Sequence, residues 1–408
     1  MPQIDGQRLL HDLRQLAGFG RYKTGVHRPT YSPQDVEARQ WLVERLQEAG
    51  LTAEIDGIGN IMSTSPAKGP KLLIGSHLES QPYAGWLDGA MGVIYGLEVA
   101  RAFREDPTSR DLGIEVAVFA DEEGHFGSFL GSRSFIGELS EDDVAKAMNR
   151  TTGQPLPDAL ADAGYSGRPR YVLEPGRHVG FIEAHIEQGD TLESSGRRIG
   201  VVTSIVGIWT YAITFEGQQN HAGTTRMAAR KDAGVALTEL CHAIAKRFPE
   251  VAGPRSVWTT GRIRLDPGAA SIIPGQAEMI FQFRDAEPER LRAMEQALEA
   301  LVTQSDAAGP CTASLRPLSR SIPNVMAEPI QAALEQAAER HAPGSATRMP
   351  SGAGHDAQYL ARRLPAGMLF VPSIGGISHH WTENTADADL VLGCQVLATA
   401  GEALLRAA

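Results

Sequence analysis

The chain has 408 residues, 42% of them hydrophobic and 21% charged, with a formal net charge of -11 at pH 7. That length supports two domains with cores of their own, and the acidic balance argues against a nucleic-acid binder, which carries a basic patch. The three cysteines, Cys241, Cys311 and Cys394, stand far apart without CxxC spacing, so no disulfide framework is expected and a reducing compartment fits.

The opening stretch MPQIDGQRLLHDLRQLAG is broken by charge and does not read as a secretory signal, and no apolar run approaches a membrane span. The default expectation is the cytoplasm. Ser32-Pro33 followed by Asp35 reads as a helix start, with Val36, Leu42, Val43 and Leu46 at helical spacing and Gly50 as a stop. Short apolar runs then read as buried strands at Leu72–Ile74, Ile114–Ala120, Val179–Ile182 and, near the far end, Met368–Val371. Strands separated by helices predict an α/β domain with a largely parallel sheet.

The middle of the chain has a different rhythm. Tyr211, Ile213 and Phe215 alternate as in a half-exposed strand; helical stretches follow at residues 231–248 and 287–304. Strand-like runs lie at Val257–Arg264, Glu278–Arg284 and Thr312–Leu318. The order β-α-β-β-α-β is the split βαβ, ferredoxin-like pattern. It predicts an inserted α+β domain at residues 207–325, between catalytic-domain segments at 1–206 and 326–408.

Four polar clusters follow the predicted strands of the larger domain: GSHLES with His77, ADEEGHFGS with Glu122 and Glu123, EAHIEQG with His185, and GGISHHWTE with His379. A fifth, GWLDGAMGV with Asp88, opens a helix-like run. Ligands of open α/β sheets bind beyond the carboxyl ends of the strands, so these imidazoles and carboxylates converge on one predicted crevice. Histidines and carboxylates sharing a bridging carboxylate suit a pair of divalent ions, which would polarise a carbonyl and acidify water, with a Glu-Glu pair supplying ligand and base. Taken singly, a histidine after a strand is more often surface or hydrogen-bonded than a ligand, Asp-Glu-Glu is usually a solvated acidic turn, and Asp88-Gly89 also reads as turn chemistry.

In order along the chain, GSHLESQPYAGWLDGAMGV, DEEG, HIEQG, NHAGTTRMAARKDA, SGAGHDA and GGISHHWTE resemble the motifs of the amidase hydantoinase/carbamoylase family. That family includes N-carbamoyl-L-amino acid hydrolases and allantoate and ureidoglycolate amidohydrolases, and is related to carboxypeptidase G and aminoacylase. The resemblance implies a metallohydrolase catalytic domain, with a mixed sheet flanked by helices, and a lid/dimerisation domain. It implies two divalent ions per subunit, zinc first, with manganese, cobalt or nickel as alternatives, held by His77, Asp88, Glu123, His185 and His379. Asp88 would bridge them and Glu122 would be the general base. Gln188 and Ser271 would contact substrate, His221 would reach a neighbouring subunit's active site and stabilise an oxyanion, and Arg284 would clamp a substrate carboxylate. The implied reaction is hydrolysis of an N-carbamoyl-L-amino acid by a homodimer, without nucleic-acid or membrane partners. Allantoate, ureidoglycolate or N-acyl amino acids are the alternative substrates, and an inactive ligand-binding relative the non-enzymatic one. The chain departs from the family pattern at Glu79 (usually aspartate), at His380-Trp381 (usually running on to proline, which makes His380 a rival ligand), and at Ser271, Trp209 and Arg226.

Overall fold

In the computed structural model, which describes residues Met1–Ala408, the helix expected after Ser32 spans Pro33–Glu48. The Ser32 hydroxyl accepts the amide N–H of Asp35 at 3.3 Å, satisfying an otherwise unpaired donor of the first turn. Asp35 is more than a first-turn acid. It is buried, and its carboxylate accepts from Tyr31 N at 2.9 Å and from the Arg39 guanidinium at 3.0 Å.

The chain divides into two compact units, Met1–Thr203 with Val325–Ala408, and Ser204–Asn324. At the centre of the first lie four parallel neighbours in the order Ala366–Val371, Phe181–Ile186, Lys71–His77 and Gly113–Phe119. Ile61–Thr64 and Thr52–Ile55 continue the sheet antiparallel on one side, and Ile199–Ile205 on the other. The sheet is therefore mixed rather than largely parallel. Helix Ala90–Glu105 packs against the two central strands that carry His77 and Phe119, in a core that includes Val93, Ile94, Leu97, Ile74 and Val116.

Two expectations are corrected. The third strand runs Phe181–Ile186, not Val179–Ile182. Its Glu183 is accommodated in the core because the carboxylate accepts from the Ser76 hydroxyl at 2.7 Å and from Ala357 N at 2.8 Å. Secondly, one helix is long and apolar enough to cross a membrane, Asp387–Ala407, with mean hydropathy 1.4. Its Leu390, Cys394, Val396, Leu397 and Ala400 are all buried in the core, which accounts for the apolar composition.

In the second unit, a four-stranded antiparallel sheet sets the last, first, third and second strands side by side: Thr312–Arg320, Gly207–Glu216, Gln276–Asp285 and Val257–Asp266. This is the ferredoxin-like arrangement. Helices Ala233–Val251 and Pro288–Ala308 cover one face, burying Ile213, Phe215, Met279 and Phe281 against Leu237, Phe248 and Leu298. Each such side chain contributes about 1.5–3 kcal/mol on full burial.

Gly75 lies mid-strand between His77 and the core, and a Cβ there would meet the carbonyl oxygen of Ala117 on the adjacent strand at 1.9 Å. Gly75→Ala is expected to destabilise the first unit by about 1–3 kcal/mol through overpacking. A lowered urea midpoint is the check; an unchanged midpoint would show that the sheet yields at this point.

Candidate metal centre

The residues of the site stand at or just beyond the carboxyl ends of the parallel strands, where the ladder hydrogen bonds stop and side chains from adjacent strands converge. His77 and His185 end or nearly end their strands, Glu122 and Glu123 follow Phe119 by three and four positions, and His379 lies on the loop after Val371. Asp88 precedes helix Ala90–Glu105. Gly89 adopts φ 67°, and any Cβ on it would lie 2.4 Å from the His77 ring. Glycine there lets the backbone approach the imidazole.

Asp88 is the hub. Its Oδ1 lies 3.0 Å from His185 Nε2 and 3.5 Å from His77 Nε2; its Oδ2 lies 3.2 Å from His379 Nε2 and accepts from Gln188 Nε2 at 2.9 Å. Two ligand sets result, His77–Asp88–His185 and Asp88–Glu123–His379, the donor atoms of each lying within 4.8 Å of one another. Both inner histidines are oriented from behind. Nδ1 of His77 faces the Glu79 carbonyl oxygen at 3.0 Å and Nδ1 of His185 that of Ile186 at 2.8 Å, so each donates there and turns Nε2 inward.

The donor chemistry fits divalent cations. His77 Nε2 and Gln188 Oε1 are buried without a hydrogen-bond partner, a costly arrangement that a bound ion or ligand would relieve. Burial pushes the Glu122 carboxyl well up, with Glu123, Asp356 and Asp88 adding to the rise. Burial likewise lifts Glu123 to about 7, helped by Asp88. Asp88 goes the other way: burial would raise it, but the imidazoles of His185, His379 and His77, at 3.0, 3.2 and 3.5 Å, hold it well below the usual range. His379 is lifted to about 9, chiefly by its hydrogen bond to Asp88. So many carboxylates out of water call for compensating positive charge.

His379, not His380, faces Asp88. His380 turns its Nδ1 to the Thr382 hydroxyl at 2.7 Å. His379 has φ 54° and Gln188 φ 59°, left-handed conformations uncommon for such side chains and held at the site.

Three supporting features escape a motif reading. Glu383 accepts from Asp88 N at 3.1 Å and Leu87 N at 3.3 Å, and from the Ser378 hydroxyl at 2.9 Å, pinning the His379 loop to the Asp88 turn. Gln81 donates to Glu123 Oε2 at 2.7 Å. Glu79, at the departure from the family pattern, does not address the His77 ring with its carboxylate oxygens as closely as with its carbonyl. Instead Oε1 accepts from Glu122 N at 2.7 Å and Oε2 from Arg39 Nη2 at 2.9 Å, with Arg39 also on Asp35. Behind His185, the buried His355 ring sits 4.6 Å away edge-on, and burial holds it well below the usual imidazole range, hence neutral.

The remaining site candidates belong to the second unit. His221 is exposed, and its Nδ1 accepts from Gly223 N at 2.9 Å and Thr224 N at 3.2 Å. The neutral ring therefore carries its proton on Nε2 and presents a donor. The Ser271 carbonyl accepts from Ala222 N at 2.9 Å, beside that loop. Arg284 donates from Nε to Gln282 Oε1 at 2.9 Å, and burial lowers its pKa. Trp209 donates to the Ser321 carbonyl at 2.9 Å and packs on Phe283, and Arg226 is exposed.

Comparison with known proteins agrees with this geometry. Residues 73–403 match the peptidase family M20/M25/M40. An allantoate amidohydrolase of Bacillus subtilis (strain 168) is 33% identical, with 91% of each chain covered, and an N-carbamoyl-L-amino-acid amidohydrolase of Pseudomonas sp. (strain NS671) is 32% identical, with 97% of each covered. A ureidoglycolate hydrolase of Oryza sativa subsp. japonica is 32% identical over 97% of this chain and 84% of its own. Among solved structures, an amidase of the hydantoinase/carbamoylase family from Burkholderia phymatum superposes with a TM-score of 0.92 at 49% identity, covering 100% of this chain and 99% of the other. The chain belongs to peptidase family M20/M25/M40, a family of metal-dependent hydrolases. Within it, the chain is an amidohydrolase of the hydantoinase/carbamoylase kind, acting on linear amides.

Arg39 is wholly buried between Asp35 and Glu79. Arg39→Met would leave two buried carboxylates uncompensated and is expected to cost about 3–5 kcal/mol of stability. Chemical denaturation checks this; a loss below about 1 kcal/mol would mean the acids take up protons or water instead.

Proposed function

We propose that this enzyme hydrolyses an N-carbamoyl-L-amino acid with two divalent ions per subunit. The observation that carries the reading is the position of Asp88, with one oxygen toward His77 and His185 and the other toward His379 and, through that set, Glu123. His77, His185 and Asp88 would hold one ion and Asp88, Glu123 and His379 the other; zinc suits these donors, as do manganese, cobalt and nickel. When bound, such a pair supplies Lewis acidity toward the carbonyl and acidifies water.

The protein's own groups do the rest. Glu122 takes a proton from the water that attacks the carbamoyl carbon and delivers it to the nitrogen of the departing amino acid. The carbon–nitrogen bond breaks, releasing the amino acid and carbamate, which decomposes to ammonia and carbon dioxide. Burial raises the Glu122 carboxyl, the direction that favours a group which both accepts and returns a proton. Gln188, with an unpaired buried carbonyl oxygen, is a substrate contact. His221 reaches a neighbouring subunit's active site and presents Nε2–H to the developing oxyanion there, Ser271 adds a contact, and the Arg284 fork receives the substrate carboxylate. Allantoate and ureidoglycolate share the ureido group, and the relatives named for them make them the second choice.

Glu122→Gln should retain both ions by elemental analysis and lose about 10²–10⁴-fold in kcat. Near-normal turnover would reject the assigned base. Chelation should abolish hydrolysis of N-carbamoyl-L-amino acids and allantoate, and re-addition of divalent metal should restore it; activity that survives complete removal of metal would refute the centre.

A homodimer through the second unit is part of the proposal, as is a cytoplasmic location. Its edge strand Val257–Asp266 is exposed along nearly its whole length and carries Val257, Ile263 and Leu265 at 53%, 50% and 40% exposure. Such an edge is a ready template for pairing with a second copy. Ile263→Lys with Leu265→Lys should shift the sedimenting species from dimer to monomer; a wild-type monomer, or a variant that stays dimeric, would refute this interface.

A further inference from the structure

An aromatic patch lies on three segments, two of which run on directly from Gln81 and His379 of the metal centre, and the chemistry above does not use its rings. The hairpin made of Arg21–Tyr22 and Gly25–Val26 lies against two loops at once. Val26 and Ala84 exchange backbone hydrogen bonds at 2.9 Å, and the Thr24 hydroxyl donates to the Trp381 carbonyl at 2.6 Å. A Cβ on Gly25 would meet Ala84 O at 2.1 Å and Trp381 Cα at 2.8 Å, so the contact is closed tightly around a glycine. Where the three segments meet, the Tyr83 ring stacks on His27 at 4.2 Å and 10°, with Tyr22 4.8 Å away. The Lys23 ammonium sits 4.1 Å over Trp381.

Each loop joins the patch to the centre by a short tether. Tyr83 is two residues beyond Gln81, whose side chain holds Glu123, and Trp381 is two residues beyond His379. Two residues span at most about 7 Å. Tyr83 remains 53% exposed although it packs on two rings. Lys23, Tyr83 and His379 all have φ between 53° and 55°, a left-handed conformation that costs a bulky side chain about 1–3 kcal/mol. Strain of this kind persists where the surroundings impose it, and here it holds an exposed aromatic ring two residues from the side chain that fastens Glu123.

We infer that Tyr83 and Trp381 form a subsite for the side chain of the substrate, and that it selects a planar aromatic side chain over a small one. The inference deepens the amidohydrolase reading above and rests on it for the reaction, though not for binding. Rings already stacked and fixed offer offset or edge contacts to a further ring at little cost in side-chain entropy. Lys23, held over Trp381, keeps the rim cationic beside a substrate that carries a carboxylate.

The test is calorimetric binding of N-carbamoyl-L-phenylalanine and N-carbamoylglycine to metal-loaded enzyme carrying Glu122→Gln, which binds without turning over. The phenylalanine compound should bind about tenfold tighter or more. Added Tyr83→Ala or Trp381→Ala should shrink that ratio to about threefold or less, and Tyr83→Phe should keep it. Equal affinity for the two compounds, no binding of either, or an equal loss for both in the alanine variants overturns the subsite. Turnover by the wild-type enzyme is measured separately on both compounds. Selective aromatic binding without turnover of either would refute the proposed reaction and leave the subsite standing.

Discussion

A single carboxylate organises this structure. Asp88 lies at 4% exposure among three imidazoles and an amide, so it remains charged where burial alone would protonate it. Everything around it serves that condition. Two histidines arrive from parallel strands, one from the loop after Val371, and Gly89 clears space for the His77 ring. The mixed sheet is the platform that delivers these groups to one end. The core beneath, with Val93, Leu97, Ile74 and Val116 interleaved, keeps the strand ends in register.

Much of this was legible because it is local or strongly patterned. Continuous apolar runs mark buried parallel strands, and polar clusters placed directly after them mark a crevice; the split βαβ order marks the other unit. The six residues His77, Asp88, Glu122, Glu123, His185 and His379 come together at the strand ends as the motifs imply. Two kinds of feature were illegible. One is the buried polar residue whose partner lies far away in sequence: Glu183 looks like a strand breaker until Ser76 and Ala357 satisfy it. The other is the strut. Glu79 reads as a longer aspartate, yet its reach takes it past the imidazole to the Glu122 amide and Arg39. No periodicity encodes a contact of that sort, since it depends on where two separate chain segments cross.

The second unit makes the complementary point. Its alternation of Tyr211, Ile213 and Phe215 predicts a one-sided sheet, and one face is indeed covered by two helices. What alternation does not reveal is the state of a functional group. The protonated nitrogen of neutral His221 is settled by two backbone amides of the following turn, Gly223 and Thr224, which occupy Nδ1. Trp209, which stands where the family often has arginine, is engaged by Ser321 and Phe283, so its indole serves the packing of its own unit.

The Glu383 clasp has a consequence for how the protein is made. It joins the amide of Asp88 to a carboxylate 295 residues later in the chain, beyond the whole of the second unit. During synthesis, the turn bearing the hub aspartate emerges before the second unit, and its fastening only after it. Until then a nascent polypeptide holds its acidic cluster without the clasp that orders it, and assembly of the centre waits until the chain beyond the second unit has been made.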